Sequence, residues 1–80
     1  MIDIATRHPR IAIDRGIMLG KPVIRGTRVT VEQILRELGA GTRPDEVLDA
    51  HPRLKTDDIR AARAFAADWL AEETMVPGAA

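Results

Sequence analysis

This sequence of 80 residues contains no cysteine, serine or tyrosine, and holds a single Phe and a single Trp. Without cysteine there is no disulfide framework, no thiolate metal site and no cysteine nucleophile, a usage that suits a reducing cytoplasm. Without serine, a Ser-His-Asp triad is excluded. No apolar run approaches the roughly 18 residues that a membrane span needs. Asp3 stands where a secretory signal carries a basic region, so neither a membrane segment nor an export signal is expected. An excess of one charge sign is missing too: 12 Lys and Arg balance 12 Asp and Glu. No global field therefore drives the chain onto nucleic acid or a membrane.

What is present describes a small globular domain. The composition is 45% hydrophobic and 30% charged, far from the disordered or fibrous classes. A chain of this size buries only about 60–65% of its unfolded surface, so a second copy or another partner is expected to share the burial. The balanced charge is also unevenly placed. Residues 1–30 carry six basic and two acidic side chains, and residues 31–80 carry six basic and ten acidic ones. A basic front and an acidic body follow, which suits an acidic or phosphate-rich partner at one end.

The front reads as short strands and turns. Ile11-Ala12-Ile13-Asp14 is β-prone, Asp14-Arg15-Gly16 supplies turn chemistry, and Val23-Ile24 and Val29-Thr30-Val31 flank a tight turn at Gly26. Three helices follow. Thr30-Val31-Glu32-Gln33 fits a capping box, with Val31, Ile34, Leu35 and Leu38 at helical spacing and Gly39-Ala40-Gly41 as the stop. Thr42 is expected to cap a second helix containing Pro44, Val47 and Leu48, which His51-Pro52 ends. Thr56-Asp57-Asp58 is expected to cap the third, running to about Glu73. Its apolar stripe is Ile59, Ala62, Ala66, Trp69 and Leu70, widened by Phe65. The organisation expected is an arm over residues 1–10, one domain over 11–74 and a flexible tail over 75–80.

Converging catalytic groups are not found in the pattern. His8 and His51 each precede a proline and read as turn residues, with no metal-ligand spacing. Asp57/Asp58 and Glu72/Glu73 are adjacent on a helix, so their side chains point about 100° apart. The first pair reads as acids that complement a helix N-terminus. The segment Gly20-Lys21-Pro22-Val23-Ile24-Arg25-Gly26-Thr27-Arg28 is richer: three cations, a hydroxyl and two glycines fall within nine residues. Glycines allow close backbone approach, and arginine forks suit phosphate or carboxylate. The same loop is equally a structural hairpin whose arginines pair with the acidic body.

Gly20-Lys21-Pro22-Val23-Ile24-Arg25-Gly26-Thr27-Arg28-Val29-Thr30-Val31 strongly resembles the signature of domain-of-unknown-function family 433, a group of small antitoxin-like proteins. The resemblance continues through Ile34-Leu35, Leu38, Gly41, Pro44 to Leu48, Pro52-Arg53-Leu54 and Asp58 to Ala62. His51 stands where relatives commonly carry tyrosine, and Arg63 where an aliphatic residue is usual. The resemblance implies a mostly α fold: a three-helix homeodomain-like (helix-turn-helix-like) bundle preceded by a small N-terminal β-hairpin. It further implies the antitoxin half of a type II toxin–antitoxin pair, whose partner is a PIN-like ribonuclease with an acidic site.

On that reading Lys21, Arg25, Thr27 and Arg28, with Phe65 and Trp69 on the third helix, form the surface that binds the nuclease. The alternative is a DNA-binding transcriptional regulator that acts as a homodimer on its own promoter. Arg7, Arg10, Lys55, Arg60 and Arg63 would then contact nucleic acid. Neither reading calls for a catalytic residue, a metal or an organic cofactor.

Overall fold

A computed structural model of the chain describes residues 7–72. Two short strands, β1 (Ile11–Ala12) and β2 (Val23–Ile24), precede three helices, α1 (Val31–Gly39), α2 (Pro44–Ala50) and α3 (Thr56–Glu72). The strands pair antiparallel, with Ile11 opposite Ile24 and Ala12 opposite Val23. The expected first strand is thus shorter than Ile11–Asp14. Asp14 leaves it to close a turn, accepting from Gly16 N through its side chain at 2.8 Å and from Ile17 N through its carbonyl at 2.9 Å.

The expected third strand shrinks to one bridge, Thr30 against Val23. The reason is local: Thr30 must also begin α1, and its hydroxyl accepts from Gln33 N at 3.0 Å. Between β2 and that bridge, Thr27 N donates to Ile24 O at 2.9 Å with Gly26 at φ +82°. This is the pattern of a type II turn, whose third residue needs positive φ. Gln33 does not complete the capping box; its amide turns to Glu37 at 3.2 Å.

The end of α1 decides where α2 starts. Gly41 takes φ +99°, Gly41 N donates to Leu38 O at 3.1 Å, and Thr42 N donates to Glu37 O at 3.0 Å. These two bonds make a Schellman closure. Thr42 is thereby committed to the end of α1, and the N-cap of α2 moves to Arg43, whose N–H donates to Glu46 Oε1 at 2.8 Å. The start of α3 repeats the device. Thr56 lies inside the helix, and Asp58 Oδ2 accepts from Lys55 N at 2.8 Å.

The core gathers Ile11 and Ile24 from the hairpin, Val31 and Ile34 from α1, Val47 from α2, Leu54 from the α2–α3 connection, and Ile59, Ala62 and Phe65 from α3. The stripe expected on α3 is corrected at its far end: Trp69 is 45% and Leu70 68% exposed. In these last turns the arm takes Asp68 and Glu72 as partners, and Trp69 and Leu70 stay uncovered. The expected helix end near Glu73, the tail and Met1 to Thr6 of the arm lie outside the described residues.

The arm from Arg7 to Arg10 lies against α3. His8 Nε2 is 2.7 Å from Asp68 Oδ2, and the imidazole meets Phe65 edge-on at 5.6 Å. Arg7 reaches Glu72 at 3.2 Å. Arg10 Nη1 donates to Asp58 Oδ1 at 3.0 Å. Asp58 is only 5% exposed, so the residue expected to complement a helix N-terminus is also a buried link between arm and α3.

Removing that link tests the arrangement. Asp58→Ala leaves the Lys55 amide without its acceptor, a loss of about 1–2 kcal/mol. A domain of this size should then melt several degrees lower. Asp58→Asn, which keeps an acceptor oxygen, should lose less in urea titrations of the same samples. Gly26→Ala meets no atom within 4 Å. Backbone strain at positive φ alone should therefore lower stability, by about 1 kcal/mol, and an unchanged denaturation midpoint would contradict the turn geometry.

Candidate functional site

The residues singled out in the sequence divide between two surfaces. The first is a basic cleft of about 370 Å³ lined by Pro9, Arg10, Arg25, Gly26, Thr27, Arg53, Lys55 and Asp58. Three separate segments build it: the arm, the type II turn and the α2–α3 connection. Leu54 is anchored in the core, so its neighbours Arg53 and Lys55 are left exposed on either side of it. Arg53 was not anticipated from the sequence. The available signal is the cation-apolar-cation alternation around Leu54, which becomes meaningful once Gly26 and Thr27 are known to lie opposite.

Arg25 has a structural task here. Its Nε donates to Pro9 O at 2.8 Å and its Nη2 to Ile11 O at 3.0 Å. One guanidinium thus holds the arm against the turn, and the expectation that it pairs with acids of the helical body gives way to two backbone carbonyls. Thr27 is similarly engaged. Its hydroxyl donates to Ile24 O at 2.8 Å and accepts from Val29 N at 3.0 Å, which commits its proton to the turn. Arg28 is exposed.

The second surface is an apolar groove of about 440 Å³ between α1 and the far half of α3, lined by Pro22, Val31, Glu32, Leu35, Arg36, Phe65, Ala66, Trp69 and Leu70. Phe65 is buried and forms the floor, so the expectation of an exposed Phe65 is corrected; Trp69 stacks at a tilt beside it, 5.9 Å between ring centroids. Charge rims this groove. Glu32 accepts from Lys21 Nζ at 3.1 Å and from Arg36 Nε at 3.0 Å. Those contacts, the Lys21 hydrogen bond first and the Arg36 one second, hold the Glu32 carboxyl below the usual glutamate range.

The structure therefore brings Phe65 and Trp69 together on the groove, ties Lys21 to its lining residue Glu32, and places Arg25 and Thr27 on the cleft. Of the residues expected to touch nucleic acid, Arg10 and Lys55 share the cleft. Arg7 is paired with Glu72, Arg60 lies 3.9 Å from Asp57, and Arg63 is exposed. Among the described residues no three His, Cys, Asp or Glu side chains are placed to hold a metal ion, and no helix is long and apolar enough to cross a membrane.

One more feature is barely signalled in the sequence. Met18 (φ 49°), Leu19 (φ 59°) and Gly20 (φ 84°) are consecutive left-handed residues, and Leu19 is 93% exposed. Met and Leu seldom adopt this backbone, so only Gly20 hints at it in the sequence.

The fold and its two surfaces define a class: small three-helix domains that carry an N-terminal strand pair and a cation-bearing glycine turn. The family model described as "Protein of unknown function (DUF433)" matches residues 11–66, and the chain belongs to that family. Uncharacterized protein y4eO of Sinorhizobium fredii (strain NBRC 101917 / NGR234) is 34% identical over 64 residues, which is 80% of this chain and 29% of that protein. The chain thus spans less than a third of that relative's length. The crystal structure of a DUF433 member from Anabaena variabilis ATCC 29413 is similar at a TM-score of 0.73 and 26% identity, over 81% of this chain and 64% of that one.

The rim of the groove makes a titration testable. Because the Glu32 carboxyl is held low mainly by Lys21, Lys21→Met should return its midpoint toward the ordinary glutamate value more than Arg36→Met does. Carboxyl-carbon NMR over an acid series reads both. The sign follows from linkage: a depressed folded-state value gives stability present above the unfolded value and lost as pH falls through the folded one. Equal midpoints in wild type and Lys21→Met would contradict the arrangement.

Proposed function

We propose that this chain is an antitoxin: a binding module that seats itself on a small PIN-like nuclease and neutralises it. The supporting observation is the anatomy of the α1/α3 groove. Its centre is apolar and contains a half-exposed tryptophan, and its rim is the Lys21–Glu32–Arg36 cluster. Protein interfaces share that layout, with an aromatic anchor at a desolvated centre and charge at the edge. The family resemblance supplies the kind of partner. In this arrangement Trp69 and Leu70 supply packing, and the turn presents Arg28 as the cation that enters the nuclease's acidic site. Arg25 acts behind it by holding the turn to the arm.

The alternative, a DNA-binding regulator acting as a homodimer, draws on the cations of the basic cleft rather than on the groove. Salt dependence separates the two readings. Neutralising several phosphates makes log affinity for DNA fall steeply with log salt, whereas binding through the apolar groove is far less sensitive.

The test is co-purification of the tagged protein from its native cells with mass spectrometry of the captured chains. A small acidic-site nuclease recovered in near-equal amount is the expected result. Trp69→Ala should then weaken the complex by about 2 kcal/mol or more, seen as a roughly 30-fold higher Kd. Arg28→Ala should restore nuclease activity to the mixture. Capture of the protein itself alone, or full neutralisation by Trp69→Ala, would overturn the proposal.

A further inference from the structure

We infer that the basic cleft is a receptor for a terminal phosphate group, as carried by inorganic phosphate or a phosphomonoester. The inference is independent of the groove and of the nuclease proposed for it. It begins from charge matching. Outside the cleft, Arg7 pairs with Glu72, Lys21 and Arg36 with Glu32, Arg43 with Asp45 and Glu46, and Arg60 with Asp57, while Arg15, Arg28 and Arg63, scattered elsewhere, make no ion pair among the described residues. In the cleft Arg10 is also paired, with Asp58 at 3.0 Å and Asp57 at 3.6 Å, but three cations without an ion pair, Arg25, Arg53 and Lys55, gather beside it. Arg10, Arg25, Arg53 and Lys55 line one concavity with Asp58 as its single acid. A chain whose charges sum to zero thus concentrates an excess of positive charge at one small hollow.

The acid that is present neutralises Arg10 alone. Asp58 is buried, and its oxygens accept from Arg10 Nη1 at 3.0 Å and from Lys55 N at 2.8 Å. Among the described residues no carboxylate makes an ion pair with Arg53 or the Lys55 ammonium. Arg25 is fixed by two carbonyls through Nε and Nη2, which leaves Nη1 and positive charge for a ligand. A guanidinium already held in place loses little freedom on binding an oxyanion.

Shape favours a terminal group over a duplex. The cations surround a concavity of about 370 Å³, enough for a phosphate and part of what it is attached to. Extended nucleic acid needs a stripe of cations, yet the neighbouring arginines of α3 and the arm are either paired or lie outside the cleft. Gly26 admits a ligand beside the turn, because a Cβ there would meet no atom within 4 Å. A dianionic phosphate complements the three-sided cationic wall better than the single charge of a backbone diester.

Amide NMR titration of the full chain tests this, with inorganic phosphate, adenosine monophosphate and a short DNA duplex as separate probes and chloride as the ionic-strength control. Saturable shifts at Gly26, Thr27, Arg53 and Lys55 are expected with phosphate and the monophosphate. Arg53→Ala with Lys55→Ala should weaken binding by about tenfold or more. Both side chains are exposed, so the fold should survive, and circular dichroism checks that it does. Arg15→Ala with Arg43→Ala, at residues that do not line the cleft, should leave binding unchanged. Shifts matched by chloride, retention of affinity in the Arg53/Lys55 variant, or response to the duplex alone would each overturn the inference.

Discussion

The structure depends on a carboxylate that has left the surface. Asp58 joins the first turn of α3 to the arm, through Lys55 N on one side and the Arg10 guanidinium on the other. A buried charge is costly unless its oxygens are satisfied, and here both are. Around that link the arm gains its other anchors, His8 on Asp68 and the carbonyls of Pro9 and Ile11 on Arg25. Two-residue strands are too short to stand alone. They persist because the segments flanking them are tied to a helix by side chains.

This economy also creates the two surfaces. Fastening the arm to the type II turn and to the α2–α3 connection brings cations from three segments around one hollow. Trp69 and Leu70 lie outside the core, beside the buried Phe65. Both surfaces are consequences of how a small chain completes its packing. The two linings have no residue in common.

Local rules predicted much of the architecture. The type and order of all three helices follow from periodicity and stop signals, and so does the Gly26 turn. The boundaries drifted where two elements compete for one residue. Thr42 is an excellent cap by composition, yet its amide closes α1, and Arg43 begins α2 in its place. At α3 the helix starts at Thr56 itself, and Asp58 reaches back to accept from Lys55 N. Such competition is invisible to a reading that treats each helix by itself.

The site was legible in its chemistry and not in its geometry. A run of cations and glycines between Gly20 and Arg28 announces an unusual loop, because glycine turns and arginine forks have few purely local uses. Distance in the chain hides the rest. Nothing local links Arg53 to Arg25, or says that Arg25 and Thr27 face one surface while Lys21 is tied to Glu32 at another. By itself the sequence determined the elements, their apolar faces and the family signature, since these rest on short-range sterics and spacing. Tertiary structure alone decided which cations share a hollow and which aromatic ring stays uncovered, because both depend on where segments far apart in the chain come to rest.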